Sequence, residues 1–339
     1  MTLDAFIDAL PKAELHVHLI GSASIDTVLE LSRRHPGSEV PATEEELRRF
    51  YTFVDFPHFA RVYQAVNALV REPEDVATLV TGLARDLAPQ GARYVELQVT
   101  PYAHRRVGMP MREVTEALDL AARRSLAEHG VEMAYIFDIP GEYGEEAAKV
   151  TLEHALQEPP AALVGFGIGG IEQERVKYRD AFRSAFTAAR AAGLHSVPHG
   201  GEMSGPETIW EVIDGYGAER IGHGINCLAD PRLVAHLRET QLPLDVCPTS
   251  NVCTGQVGRV EDHPLPRMLE EGLYVTLNSD DPPMFATTLA EEYRVAARAF
   301  GLGRQELARL AGNGVRASFL GEARKRELLD EIDALVSAG

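Results

Sequence analysis

Residues 11–22 read Pro11-Lys12-Ala13-Glu14-Leu15-His16-Val17-His18-Leu19-Ile20-Gly21-Ser22. The alternation predicts a short strand in which His16 and His18, two residues apart, project to the same side. Leu15, Val17 and Leu19 fall on the other face. The stretch therefore reads as a strand buried on one side, with a chelating pair of imidazoles at its C-terminal end. The rest of the chain has to supply the missing ligands.

Working outward, β-rich runs recur at 93–99, 133–139, 162–168, 194–199, 220–223, 242–247 and 273–278. With the opening strand they make eight. Helical patterns at 111–129, 145–157, 178–192, 206–216, 231–240 and 264–271 separate them, the alternation expected of parallel βαβ units. Eight repeats predict a closed (β/α)₈ barrel, the TIM barrel, spanning residues 1–339 as a single domain. A doubly wound open sheet is the competitor, but no G-x-G-x-x-G follows the first strand. Extra helices are expected in two places. Residues 22–90 form a long helical excursion that contains an aromatic cluster at 51–59, with Phe53 and Phe56, able to wall a pocket for a flat ring. Residues 287–335 are helical, with Asn313-Gly314 expected to break the pattern before a last amphipathic helix outside the barrel.

Composition narrows the partners. The chain has 339 residues, 45% of them hydrophobic, a formal net charge of −18 and a pI near 5.1. Such a field disfavours nucleic acid, which needs a basic surface. The three cysteines, Cys227, Cys247 and Cys253, include no C-x-x-C and suggest neither a disulfide framework nor a thiolate zinc site. No apolar run approaches the roughly 18 residues of a membrane span, and no signal pattern opens the chain. The expectation is a soluble cytoplasmic protein without nucleic-acid or membrane partners. The oligomeric state is not legible.

Polar side chains at the C-terminal ends of barrel strands face the active-site mouth. Strand five ends at His199-Gly200-Gly201-Glu202, strand six at Gly222-His223-Gly224 and strand eight at Asn278-Ser279-Asp280-Asp281. Each alone has a bland reading: a core histidine, or a turn at Asp-Asp-Pro. Together with His16 and His18, all at predicted strand ends, they have the composition of a metal-hydrolase site. His16, His18, His199 and Asp280 supply three nitrogens and one oxygen, a zinc set that leaves a position for water. A two-metal barrel commonly carries a lysine at the end of strand four. Here that place reads Gly165-Phe166-Gly167-Ile168-Gly169-Gly170, so one Zn²⁺ or similar divalent metal is expected.

These residues resemble the adenosine deaminase family of the amidohydrolase superfamily. The resemblance is carried by PKAELHVHLIGS at 11–22, HGGE at 199–202, RIGHG at 220–224, CPTSN at 247–251 and LNSDDP at 277–282. It implies a zinc barrel that replaces the 6-amino group of a purine nucleoside with oxygen and releases ammonia. It assigns His16, His18, His199 and Asp280 to the metal and Glu202 to proton donation at ring N1. His223 becomes the imidazole that orients the attacking water and helps deprotonate it. Asp281 is placed at ring N7 and the backbone N–H of Gly170 at ring N3. The zinc deaminases with an H-x-E and P-C-x-x-C signature are a different class, and neither motif occurs here.

One departure bears on the substrate. Members acting on adenosine carry Asp two residues after the second histidine, where it holds the ribose 5′-hydroxyl, and this chain has Ile20. A branched alkyl group cannot accept that hydrogen bond. The branch that deaminates 6-amino-6-deoxyfutalosine in menaquinone biosynthesis fits, because a carbon chain leading to a benzoate replaces the hydroxyl. Resemblance to that branch extends over 21–24, 137–142, 196–199 and 280–285. Adenosine and 5′-modified adenosines remain alternatives. Adenine fits less well, since the aromatic cluster suggests a larger pocket. A barrel that binds purines without catalysis is disfavoured by the intact set of ligands, acid and base.

Overall fold

A computed structural model describes residues 1–338. Eight strands follow in chain order: β1 (Lys12–His18), β2 (Ala92–Val99), β3 (Glu132–Pro140), β4 (Leu163–Gly169), β5 (His195–Gly200), β6 (Ile221–His223), β7 (Leu244–Val246) and β8 (Val275–Leu277). Each pairs in parallel with the next. A parallel bridge between Val17 and Asp280 brings the first strand against the end of the last. The sheet closes on itself as the (β/α)₈ barrel that the sequence implies.

The strand count is as expected, but β6, β7 and β8 are only three residues each. The end of β6 has a local cause: its last residue, His223, adopts φ of 64°, a left-handed value that extended backbone does not tolerate. β1 ends at His18, so Ile20 lies in the following turn rather than on the pleat. β1 is also buried on both faces instead of one. His16 is as inaccessible as Leu15 and Val17, because a closed barrel covers its inner face too.

The interstrand helices match the sequence pattern closely, for example Met111–His129 and Pro206–Tyr216. The excursion after β1 forms four helices, Ile25–Arg34, Glu44–Phe50, Phe56–Asn67 and Pro73–Leu87. The expected break at Asn313-Gly314 is not there: both residues lie inside the helix Arg304–Ala317. Packing overrides propensity at that point. A Cβ on Gly314 would stand 3.3 Å from the Ala13 carbonyl, so glycine lets the helix press on β1. The Asn313 side chain, for its part, donates to the Val275 carbonyl at 2.9 Å. The chain breaks instead near Gly301 and at Ser318, and the last helix is Glu322–Ala338.

Inside the barrel, nearer the N-terminal ends of its strands, lies a fully buried ion network. Arg220 Nε donates to Asp245 at 2.6 Å, another of its nitrogens donates to Glu96, and a third donates to the Ala317 carbonyl at 3.1 Å. The Thr276 hydroxyl donates to the second oxygen of Asp245, and the Phe319 amide to the second oxygen of Glu96. Among the described residues, no helix is long and apolar enough to cross a membrane.

Candidate active site at the mouth of the barrel

At the opposite, C-terminal ends of the strands the polar groups converge and leave several of their atoms without partners. β1 contributes His16 and His18, β5 His199, β6 His223, and the turn after β8 Asp280 and Asp281. The ligand atoms of His16, His18 and His199 lie within 4.8 Å of one another, as do those of His16, His223 and Asp280. His18 Nε2 is 3.2 Å and His16 Nε2 3.6 Å from Asp280 Oδ1, and His199 Nε2 is 3.3 Å from His18 Nε2. Both ring nitrogens of His16 are buried with no hydrogen-bond partner. Orphaned nitrogens cost free energy unless a ligand takes them. Three imidazoles and a carboxylate at these separations fit a divalent cation with nitrogen and oxygen preference.

Protonation states agree with that use. Burial, followed by the charge of His223, leaves His16 well below its ordinary pKa against the raising effect of Asp280, and His199 is lowered by burial and the other histidines. Both are neutral, with lone pairs available. Burial lowers His18 too, but the hydrogen bond to Asp280 and the charges of Asp281 and Asp280 outweigh it and raise His18 to about 10. A proton there answers the same negative charge that a cation would answer.

The strain is concentrated on this cluster. Left-handed backbone at a residue other than glycine costs of order 1–3 kcal/mol and persists where the surroundings impose it. His223 and Asp280 are two of the four such positions. Each is held by the short helix Pro248–Cys253 that follows β7: Ser250 Oγ donates to Asp280 Oδ2 at 2.5 Å, and the Asn251 amide meets His223 Nδ1 at 3.2 Å, with His263 behind it. These residues fix the outward-facing nitrogen of His223, which lies 3.6 Å from Glu202 Oε2. With Nδ1 of His223 bonded to Asn251, its Nε2 is left directed toward the carboxylates.

Glu202 is buried. Its pKa is raised first by that burial and then by the charges of Asp280 and Glu172, against the lowering by His223. Its backbone N–H donates to Glu172 at 3.1 Å. Asp281 is raised further, by burial and then by the charge of Asp280, and its Oδ1 has no partner. Both influences favour its protonated form, the one that can donate. Gly170 adopts φ +79°, and a Cβ there would stand 2.0 Å from Glu142 Oε2, so a side chain would both strain the turn and crowd the approach. Arg175 clamps this corner, donating to the Gly170 and His199 carbonyls at 2.7 and 2.9 Å.

The cluster opens into a cavity of about 580 Å³ lined by His18, Ile20, Phe56, Gly170, His199, Glu202, His223, Asp280 and Asp281, among others. Ile20, 5% exposed, faces it from the turn after β1. Phe53 does not line it. Its ring packs 6.0 Å from that of Phe285, which does, so Phe53 backs the wall. Besides Tyr102 and Tyr143, the cavity's aromatic lining is Phe56, Phe59, Tyr63 and Phe285. The aromatic cluster at 51–59 takes in Phe59, but the sequence gives no site role to Tyr63 or Phe285, nor to Gln98 and Asp138 on the same lining. The signal exists for two of them, because Gln98 and Asp138 stand at the C-terminal ends of β2 and β3 as His199 stands at that of β5. Asp138 is buried, which pushes its carboxyl up to about 7.

A closed parallel barrel with imidazoles and carboxylates gathered at its C-terminal mouth is the architecture of an amidohydrolase. The chain belongs to the adenosine deaminase family, whose model matches residues 11–335. It is 48% identical over 338 residues to an aminodeoxyfutalosine deaminase of Streptomyces coelicolor, covering 99% of this chain and 87% of that one. Among solved structures it resembles an adenine deaminase from Arthrobacter aurescens with a TM-score of 0.90, 32% identity, and coverage of 97% and 100% of the two chains. It also resembles an amidohydrolase from Burkholderia ambifaria with bound zinc, with a TM-score of 0.89, 26% identity, and coverage of 99% and 94%.

Proposed function

We propose that this chain hydrolyses 6-amino-6-deoxyfutalosine to futalosine and ammonia, a step of menaquinone biosynthesis, as one cytoplasmic catalytic domain holding one Zn²⁺. The observation that carries the substrate assignment is Ile20, buried in the cavity wall where adenosine-specific members of the family place a carboxylate. Hydrocarbon at that point suits a 5′ carbon chain and leaves a 5′-hydroxyl without a partner. The name of the Streptomyces relative supports the same reading. Three cysteines without disulfide partners suit a reducing interior.

His16, His18, His199 and Asp280 would hold the metal, which when bound makes a water molecule acidic enough to act near neutral pH. Asp281, carrying its proton, donates to ring N7, and the Gly170 N–H reaches N3. Together they orient C6 toward His223 and Glu202. As water adds at C6, His223 receives its proton and Glu202 delivers one to N1. On collapse His223 returns a proton to the departing amine, which leaves as ammonia. Glu202 recovers one from the new hydroxyl, leaving the 6-oxo ring protonated at N1. Burial serves Glu202 here, since a carboxyl raised above its ordinary range is still an acid when substrate arrives.

The test is ammonia release from 6-amino-6-deoxyfutalosine, 5′-methylthioadenosine and adenosine, compared by kcat/KM. The first should lead by about 10²-fold or more over adenosine. A preference for adenosine would overturn the assignment and return the site to an ordinary nucleoside deaminase.

A further inference from the structure

The proposed substrate ends in a carboxylate, and the chain has a net charge of −18. An anion entering that field needs a cation placed for it. Among the described residues that line the cavity, Arg106 is the only lysine or arginine. It closes the short helix Pro101–Arg106 that follows β2 directly.

Three observations separate Arg106 from an ordinary surface arginine. Its guanidinium carbon lies 5.0 Å from the ring centroid of Tyr143 and 5.9 Å from that of Tyr102, and those rings are 5.3 Å apart. Aromatic faces hold the guanidinium by its plane and leave the N–H edge free for a bidentate acceptor. No carboxylate of the described residues lies within ion-pair distance of it, although Arg175 and Arg220, the arginines deeper in the fold, spend their donors on named partners. Lastly, the residues leading to it form a graded wall. Gln98, Tyr102 and Arg106 all line the cavity at four-residue steps, and exposure rises from 2% at Gln98 through 8% at Tyr102 to the exposed Arg106.

Gln98 begins that wall beside Ile20. The Leu19 N–H donates to the Gln98 carbonyl at 2.9 Å. Both polar atoms of the Gln98 side chain are buried without partners. From the turn of Ile20 outward the wall thus offers hydrocarbon, then an unspent amide, then an aromatic ring, then an unpaired guanidinium. Glu142, also on the lining, has its carboxylate beside Gly170 at the ring end.

We propose that Arg106, shelved on Tyr102 and Tyr143, binds the carboxylate at the far end of the 5′ substituent and so sets the specificity of the site. This rests on the substrate class proposed above. The experiment uses the full-length metal-loaded enzyme, Arg106→Met and Arg106→Lys, with 6-amino-6-deoxyfutalosine, its methyl ester and 5′-deoxyadenosine. A hydrogen-bonded charge pair of this kind contributes about 1.5–3 kcal/mol, so Arg106→Met should lower the acid-to-ester ratio of kcat/KM by about 10- to 150-fold. The loss should sit in KM, with kcat on the acid changed by less than about threefold, because the contact is remote from the reacting carbon. Arg106→Lys, which keeps the charge without the fork, should fall between.

If the wild-type enzyme prefers the acid and Arg106→Met keeps that preference, Arg106 is not the anion site and the substrate assignment stands. Equal losses on all three substrates likewise assign Arg106 a structural role. If the wild-type enzyme shows no preference for the acid over 5′-deoxyadenosine, the substrate assignment falls and the anion site with it.

Discussion

The two buried polar clusters of this barrel are built from similar groups and are wired in opposite ways. Around Arg220, the two carboxylates of Glu96 and Asp245 are answered by the guanidinium, a hydroxyl and a backbone amide. At the C-terminal mouth of the same barrel, His16, His199 and Asp281 keep ring nitrogens or carboxyl oxygens with no partner at all. Burial is equally deep in both places. The difference teaches that buried polarity becomes structural when the protein completes it, and becomes a ligand site when completion is left to something else.

The comparison can be broken most severely at the mouth. His199→Ala removes one of the set of three imidazoles, and retained metal and ammonia release should both fall, activity by about 10³-fold or more. Stoichiometric metal in the purified variant would show that the cluster is not the binding site. Glu202→Gln should leave metal content intact and cost about 10²- to 10⁴-fold in kcat, the usual worth of a general acid. Because burial raises the Glu202 pKa, its acid form survives above the ordinary carboxylate range and is lost as pH rises further. Wild-type kcat/KM should therefore decline on the alkaline side through that ionisation, and the Gln variant should lack this limb. Near-normal turnover in Glu202→Gln would remove the acid assignment.

At the completed cluster the expected effect is on stability instead. Arg220→Met leaves two carboxylates buried without their cation and should cost about 3–5 kcal/mol, read from the denaturation midpoint. Adding Glu96→Gln and Asp245→Asn should recover part of the loss, and a loss under about 1 kcal/mol in the single variant would erase the contrast. The smallest effect is expected at the cavity wall. Ile20→Asp should move the kcat/KM ratio toward adenosine by about tenfold or more, as one buried hydrogen-bond partner allows. An unchanged or worsened ratio would take away the reading of Ile20.

The barrel and its cluster of candidate ligands are legible because their signals are local and periodic. His16-Val17-His18 fixes a face by strand alternation, and His199, His223 and Asp280 announce themselves at the ends of runs whose type is clear. What was not legible depends on how elements meet. Asn313-Gly314 looks like a helix break, yet the helix continues because glycine admits the Ala13 carbonyl. Phe53 and Phe56 are indistinguishable in the sequence, and only the placement of Phe285 puts one on the cavity and the other behind it. Arg105 and Arg106 are adjacent, and nothing short of the helix orientation tells which one faces the cavity.

The meeting of β1 with the turn after β8 has a consequence for how the protein holds together. The His18 N–H donates to the Asp280 carbonyl and the Asp280 N–H to the His16 carbonyl, so the backbones of three ligand candidates are themselves the seam of the barrel. Pairing residues so far apart in sequence carries one of the larger loop-closure entropies in the chain. A cation held by His16, His18 and Asp280 would act as a clasp across that seam, adding about 4 kcal/mol to the folded state at a thousand times its dissociation constant. Chelation would then loosen the joint between the first and last strands before it disturbed the rest of the barrel, and hydrogen exchange at His18 and Asp280 would rise first.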